Sequence, residues 1–205
     1  MDILVAIPSN RDHSPHFVGC LVSLVQYVAQ NGIALRPDSK VKVRIKTNCS
    51  NIATARNDLV QEAIDGGHSH LLFLDDDMVF PYDLLDSLCK YDAPVVAANC
   101  CQKKLPLTFT AIGLDGKRVD STGKTGYEQV MRVGAAVMLI DLSAIKNLPS
   151  PLFNFEWNIA ANKLIGEDYY FCRLMSRHNI PIIIDHDASQ HIGHIGAYSY
   201  GLREI

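Results

Sequence analysis

Residues 71–80 read LLFLDDDMVF: four apolar residues, three consecutive aspartates, then three more apolar residues. A continuous apolar run of this length predicts a strand buried on both faces. The strand delivers three carboxylates together at its end. An ionised carboxylate is costly to bury unless it is paired, so this strand end calls for a cation, hydrogen-bond donors or water to share the charge. One reading is a divalent cation held by Asp75 and Asp77, which point the same way on an extended strand. The plainer alternative is a solvated acidic loop between strand and helix.

Composition narrows the classes. At 205 residues, 48% hydrophobic and 20% charged, the chain has the balance of a single globular domain. Its net charge is −3, and its 19 basic residues form no block or stripe, which argues against a nucleic-acid partner. Six cysteines (Cys20, Cys49, Cys89, Cys100, Cys101 and Cys172) are scattered without CxxC pairs. Reduced thiols in a cytosolic compartment are therefore expected. Met1–Pro8 lacks the basic start of a signal peptide and reads as a first strand. No apolar span of 18 residues follows, so a cytoplasmic chain without a membrane span is expected.

Around the acidic strand the pattern alternates strand and helix. Ile3–Ile7 is an apolar run ended by Pro8, and Ser14–Gln30 carries helical spacing at Phe17, Leu21, Leu24, Val25 and Val28 before Asn31-Gly32. Val41–Thr47 alternates apolar and basic residues, as a half-exposed strand does. Ser50 is a candidate N-cap for a helix with Ile52, Ala55, Leu59, Ala63 and Ile64 inward. A short helix opened by Pro81 and a strand over Ala93–Ala98 complete the first half. This rhythm predicts an α/β fold, with a largely parallel sheet and helices on both faces. Ligands of such sheets sit beyond the carboxyl ends of the strands, where the aspartates and Pro8, Ser9 and Asn10 all fall. Beyond residue 99, Gly113, Gly116, Gly123 and Gly126 suggest a small antiparallel ribbon or loops. A buried strand over Val133–Ile140 follows, then an aromatic, proline-marked loop from Pro149 to Trp157, a helix from Gly166 and a last strand over Pro181–Ile184.

Other residues carry candidate chemistry beside a plainer reading. Glu167 and Asp168 start a helix, where acids also simply complement the helix dipole. His194 lies between Gly193 and Gly196, which let the backbone approach a site closely, although an imidazole is more often a surface or core residue than a ligand. A histidine joining two aspartates on one cation suits Mn²⁺ somewhat better than Mg²⁺. Arg56 and Asn57 are placed for phosphate or base contacts, or form a solvated helix face. Lys103 and Lys104 are placed to meet an anionic ligand, or are a solvated lysine pair.

Taken in order, these motifs resemble a known family. Ala55-Arg56-Asn57, the strand ending in Asp-x-Asp, VGAAVMLI at 133–140, GEDYYFC at 166–172 and His-Ile-Gly at 194–196 look like a compact GT-A fold glycosyltransferase. The chain is similar to glycosyltransferase family 2 and its small viral and bacterial relatives. The resemblance covers almost the whole chain, although the Gln-x-x-Arg-Trp element usual in that family is not evident. It implies one domain, with 1–100 as the nucleotide-binding half and 101–205 as the acceptor-side half. It implies that Asp75 and Asp77 bridge a metal (Mn²⁺ or Mg²⁺) and a nucleotide-sugar diphosphate, with Asp76 beside them and Asp77 the direct ligand. The late histidine of the family assigns His194, over His191, as a further ligand. Pro8, Ser9 and Asn10 would cradle the nucleoside, with Arg56, Asn57 and Lys103 as further donor contacts. Asp168, with Glu167 as second choice, would be the base that takes the acceptor proton if the reaction inverts. The glycine-rich ribbon and the tail from Tyr198 to Ile205 are candidates for a lid.

Two further readings stand beside this one. Asp75-Asp76-Asp77-Met78-Val79 also fits the Asp-x-Asp pattern of haloacid dehalogenase-like phosphatases, with Asp75 as nucleophile. That motif usually lies on a first strand, and here two strands precede it. The other is a module that binds a nucleotide sugar without turnover.

Overall fold

The computed structural model describes residues 1–10, 13–34, 36–48, 50–196 and 199–202, with the backbone alone at 199 and 200. Of the tail expected to contribute to a lid, 198 and 203–205 lie outside the described residues.

The first half follows the predicted alternation. Strand β1 (Asp2–Pro8) leads to helix α1 (Pro15–Asn31), capped by Ser14 at its start and by Gly32 at φ +70° at its end. Strand β2 (Lys40–Lys46), helix α2 (Ile52–Asp65), strand β3 (His70–Leu74), the two-residue β4 (Met78–Val79), helix α3 (Leu84–Cys89) and strand β5 (Val95–Ala98) follow. The α2 cap is Asn51, not Ser50: its Oδ1 accepts from the amides of Ala53 (2.9 Å) and Thr54 (3.3 Å). Pro81 sits in the turn before α3 and does not open the helix.

In the second half, β6 (Ile112–Gly113) and β7 (Tyr127–Arg132) form the antiparallel ribbon. Strand β8 (Val137–Asp141) begins four residues later than the apolar run suggested and turns into the short α4 (Leu142–Ile145), capped by Asp141. The end of the aromatic loop is a hairpin, β9 (Glu156–Asn158) with β10 (Lys163–Ile165). Helix α5 (Glu167–Arg177), strand β11 (Ile182–Asp185), the short α6 (His186–Ser189), β12 (Gly193–Ile195) and β13 (Ser199–Gly201) complete the chain.

The main sheet has the order β2-β1-β3-β8-β5-β11-β7-β6. Pairs β1/β2, β1/β3 and β5/β11 are parallel, whereas β8 runs against β3 and β5, and β7 against β11 and β6. Six strands thus run one way and two are reversed, a mostly parallel sheet with the ribbon fused to its edge. Because side chains alternate along a strand, each apolar run feeds two cores. Leu71 and Phe73 pack with α2, α4 and α5 on one face. Leu72 and Leu74 pack with α1 and α3 on the other. Covering both faces accounts for the unbroken apolar runs, and it leaves the carboxyl ends of β1 and β3 as the place for polar groups.

A second, three-stranded sheet of β4, β12 and β13 sits over the acidic turn. His194 pairs with Met78, and the Ile195 amide donates to the Asp77 carbonyl at 2.7 Å. This pairing brings a residue from the end of the chain beside the aspartates.

Candidate active site

The strand stops at Leu74, and Asp75–Asp77 form a turn in which the Met78 amide donates to the Asp75 carbonyl. The three carboxylates therefore do not alternate as on an extended strand. Each faces a different partner, and the expectation that Asp75 and Asp77 point the same way fails for that reason.

Asp75 turns toward α2. The Arg56 guanidinium donates to its Oδ1 at 2.8 Å, and the same guanidinium donates from Nε to Glu167 at 3.4 Å and from Nη1 to the Ala135 carbonyl at 3.4 Å. Arg56 is only 2% exposed and lies over the Phe73 ring, 4.9 Å from its centroid. It is no solvated helix face but a buried cation joining the acidic turn to the start of α5. Burial pushes the Asp75 carboxyl up, against the pull of Arg56.

Asp76 turns inward to the end of β1, where Ser9 donates its hydroxyl at 2.6 Å. Asp77 faces the late segments of the chain. Lys103 pairs with its Oδ2, and His194 Nε2 stands 3.3 Å from its Oδ1. Burial works against the charge of Asp77, but the bonds from His194 and Lys103 prevail and hold its carboxyl well below the usual range. His194 donates from Nδ1 to the Cys101 carbonyl at 2.9 Å. That bond fixes the ring with Nε2 toward Asp77, and a metal bound there would take the place of the Nε2 proton that bridges the two side chains.

Two ligand atoms on one divalent cation, each at about 2.1 Å, stand roughly 3.0–3.4 Å apart. The separation of Asp77 Oδ1 and His194 Nε2 fits that spacing. Among the described residues no three His, Cys, Asp or Glu side chains converge as a metal cage. The pair alone would hold a divalent cation only with further ligands, such as phosphate oxygens and water, completing the set. His191 does not enter the pair.

Asn57 turns away from the acids. Its Nδ2 donates to the Phe153 carbonyl at 2.7 Å, and its Oδ1 accepts from the amides of Leu152 and Phe153. It fixes the approach to the aromatic loop, so that Phe153 stacks on Phe171 of α5. Pro8, Ser9 and Asn10 do line a cleft of about 340 Å³, together with Ser50, Asn51, Ile52 and Phe155. The last four were not assigned to a site from the sequence, where Ser50 read as an N-cap and Ile52 as an inward helix residue. Phe155 lay within a noted aromatic loop, but nothing local said that the loop folds back to the end of β1. Lys104 is exposed, beside the paired Lys103.

At the start of α5, Glu167 is tied to Arg56 and Asp168 is not. The Asp168 Oδ1 accepts from the Tyr169 amide at 2.7 Å. Burial, and then the neighbouring Glu167 charge, push the Asp168 carboxyl up to about 6. Gly166 supplies the space: a Cβ there would stand 2.9 Å from Asp168 Oδ1. A carboxylate held near neutrality beside an acidic turn has the properties of a proton acceptor at physiological pH.

A family model described as Anp1 matches residues 29–110. Comparison with curated protein sequences finds no match. Among solved structures, the chain is similar to A197 from STIV, at 16% identity and a TM-score of 0.63 over 98% of this chain and 91% of that one. It is also similar to the catalytic domain of Drosophila beta1,4-galactosyltransferase 7, determined with xylobiose (11% identity, TM-score 0.57, 100% of this chain and 76% of that one). GalNAc-T7, determined with UDP, GalNAc and Mn²⁺, matches at 12% identity and a TM-score of 0.55, over 98% of this chain and 44% of that one. At these identities the likeness is one of fold, and the fold is GT-A-like, as the order of motifs implied.

Proposed function

We propose that the chain is a metal-dependent glycosyltransferase of the hexosyl type. It would move a sugar from a UDP- or GDP-activated donor to a hydroxyl on a glycan, protein-linked glycan or lipid acceptor, in the cytoplasm. Residues 1–100 would bind the nucleotide and 101–205 the acceptor. The carrying observation is the Arg56 bridge: one buried cation holds both Asp75 of the Asp-Asp-Asp turn, 19 positions on, and Glu167 at the start of α5, 111 positions on. Among the described residues no helix is long and apolar enough to cross a membrane.

The roles follow from charge. Pro8, Ser9, Asn10 and Phe155 would receive the nucleoside in their cleft. Asp77 and His194 would hold Mn²⁺ or Mg²⁺, and Lys103 would exchange its pairing with Asp77 for the donor phosphates. When bound, the metal supplies Lewis-acid neutralisation of the charge left on the departing diphosphate. Asp76 keeps the turn anchored to Ser9, and Asp75, fixed by Arg56, ties it to α2. Asp168 would take the acceptor proton during an inverting attack. No observation favours the phosphatase reading, since Asp75 has one oxygen committed to Arg56 and follows the third strand, not the first.

Donor binding tests the metal site directly. Thermal unfolding is followed with UDP and GDP, each with and without Mn²⁺. Nucleotide at about 100 times its Kd should stabilise the wild type by roughly 2.7 kcal/mol, and Asp77→Asn should lose the Mn²⁺-dependent part. Full Mn²⁺-dependent stabilisation in that variant would count decisively against the assignment.

Gly166→Ala tests the placement of the base. The Gly166 backbone, at φ −67° and ψ 161°, suits alanine, so unfolding should shift by less than about 1 kcal/mol. The new methyl would displace the Asp168 carboxylate, however, and transfer should fall by up to about 10²-fold, the scale of a 1 Å misplacement. Unchanged transfer would show that Asp168 need not occupy that position.

A further inference from the structure

Two cations near α5 have no part in the donor site. Ile112 in the ribbon pairs with Arg132 on one side and bridges to Arg118 on the other, so the two arginines flank a single residue. The Arg132 guanidinium lies over the Tyr169 ring, 4.9 Å from its centroid. Arg118 donates from Nη1 to the Phe109 carbonyl, and the Tyr169 hydroxyl donates to the next carbonyl, that of Thr110, at 2.9 Å. Tyr169 directly follows Asp168. After burial, the Asp168 charge and then the Arg132 and Arg118 charges are what bear on the Tyr169 hydroxyl. The arginines therefore lie around the same ring as the candidate base.

Arg44, Arg56 and Arg173 each pair with a carboxylate; among the described residues Arg118 and Arg132, like Arg36 and Arg177, do not. Arg132 Nε is also shielded from solvent without a hydrogen-bond partner. A buried guanidinium N–H with no acceptor is costly, and an acidic chain has carboxylates to offer. Planar guanidinium forks bind phosphate and carboxylate in a bidentate manner.

We propose that Arg118 and Arg132 bind an oxyanion, a phosphate or carboxylate, carried by the acceptor beside the hydroxyl that Asp168 deprotonates. The acceptor is then an anionic glycan or a phosphate-bearing lipid. The assignment to the acceptor rests on the reading of Asp168 as base; the oxyanion site itself rests on the two arginines.

The experiment fills the donor site with UDP and Mn²⁺ and measures binding of glucose, glucose 6-phosphate and glucuronate by calorimetry. A parallel arm measures cosedimentation with phosphatidylcholine vesicles, with and without phosphatidic acid. The wild type should bind at least one anionic probe about tenfold or more tighter than its neutral counterpart, the scale of a hydrogen bond to a charged group. Arg118→Gln and Arg132→Gln should each remove most of that preference at unchanged melting temperature. Arg132→Lys should keep part of it, since the charge stays and the fork is lost, and Lys42→Gln, at an exposed cation on β2, should leave it intact. Preference for the soluble probes marks a soluble anionic acceptor, and preference for the vesicles alone marks a lipid phosphate; both support the site. Equal binding of charged and neutral probes overturns it, as does a preference that survives both arginine-to-glutamine variants or disappears with Lys42→Gln. Arginine-dependent anion binding in a protein that transfers no sugar would overturn the transferase reading and leave the oxyanion site standing.

Discussion

Replacing Arg56 with methionine is expected to lower the free energy of unfolding by about 3–5 kcal/mol, the cost of leaving buried charges without their partner. The guanidinium is 2% exposed and holds Asp75 and Glu167, two carboxylates from distant parts of the chain. Methionine fills much of the same volume against Phe73, so loss of packing is a minor part of the effect. The acids, in contrast, would face each other across a site that already disfavours charge on Asp75. Arg56→Lys should fall between, because an ammonium keeps the charge but lacks the fork that reaches both acids. Adding Asp75→Asn and Glu167→Gln to the methionine variant should recover much of the loss. Urea unfolding of the four proteins measures this. A loss under about 1 kcal/mol in Arg56→Met, the level of an exposed ion pair, would mean that the acids are solvated and that the bridge does not organise the site.

The bridge also marks where reading the sequence stops. The main sheet was legible because its strands are apolar runs bounded by turn residues, and the periodicity of α1, α2 and α5 points their buried faces to the core. Asp77, His194 and the Pro8–Asn10 cleft were legible as motifs, through residue type and position at strand ends. Direction was not. Whether Asp75 faces Asp77 or Arg56 depends on one turn beginning after Leu74, and a local run of three aspartates does not encode it. Arg56 and Asn57 read as donor contacts or a solvated helix face, and not as buried ties, because the segments that bury them, at 135, 152–153 and 167, are far along the chain. Phe155 reaches the cleft by the same long-range folding. Gly166 is equally illegible as a site residue, since only the folded start of α5 lays the Asp168 carboxylate over it.

The second large effect concerns that residue. Asp168→Asn should reduce sugar transfer by about 10²–10⁴-fold, the usual contribution of a positioned base. The wild-type rate should rise as pH passes about 6, where the Asp168 carboxyl ionises, and level off above it. The variant should lack that inflection. Linkage separates loss of chemistry from loss of fold. A carboxyl raised in the folded state holds its proton more tightly there than in the unfolded chain. Its ionisation therefore costs stability, progressively from the ordinary carboxylate range upward and fully above pH 6. Asparagine escapes this cost and still accepts from the Tyr169 amide, so the variant should unfold at equal or higher denaturant at neutral pH while transferring poorly. Glu167→Gln removes the adjacent charge that helps raise Asp168, and the inflection should move to lower pH. Near-normal transfer by Asp168→Asn, or an inflection indifferent to both substitutions, would assign the proton to another group and reduce Asp168 to an acid that complements its helix.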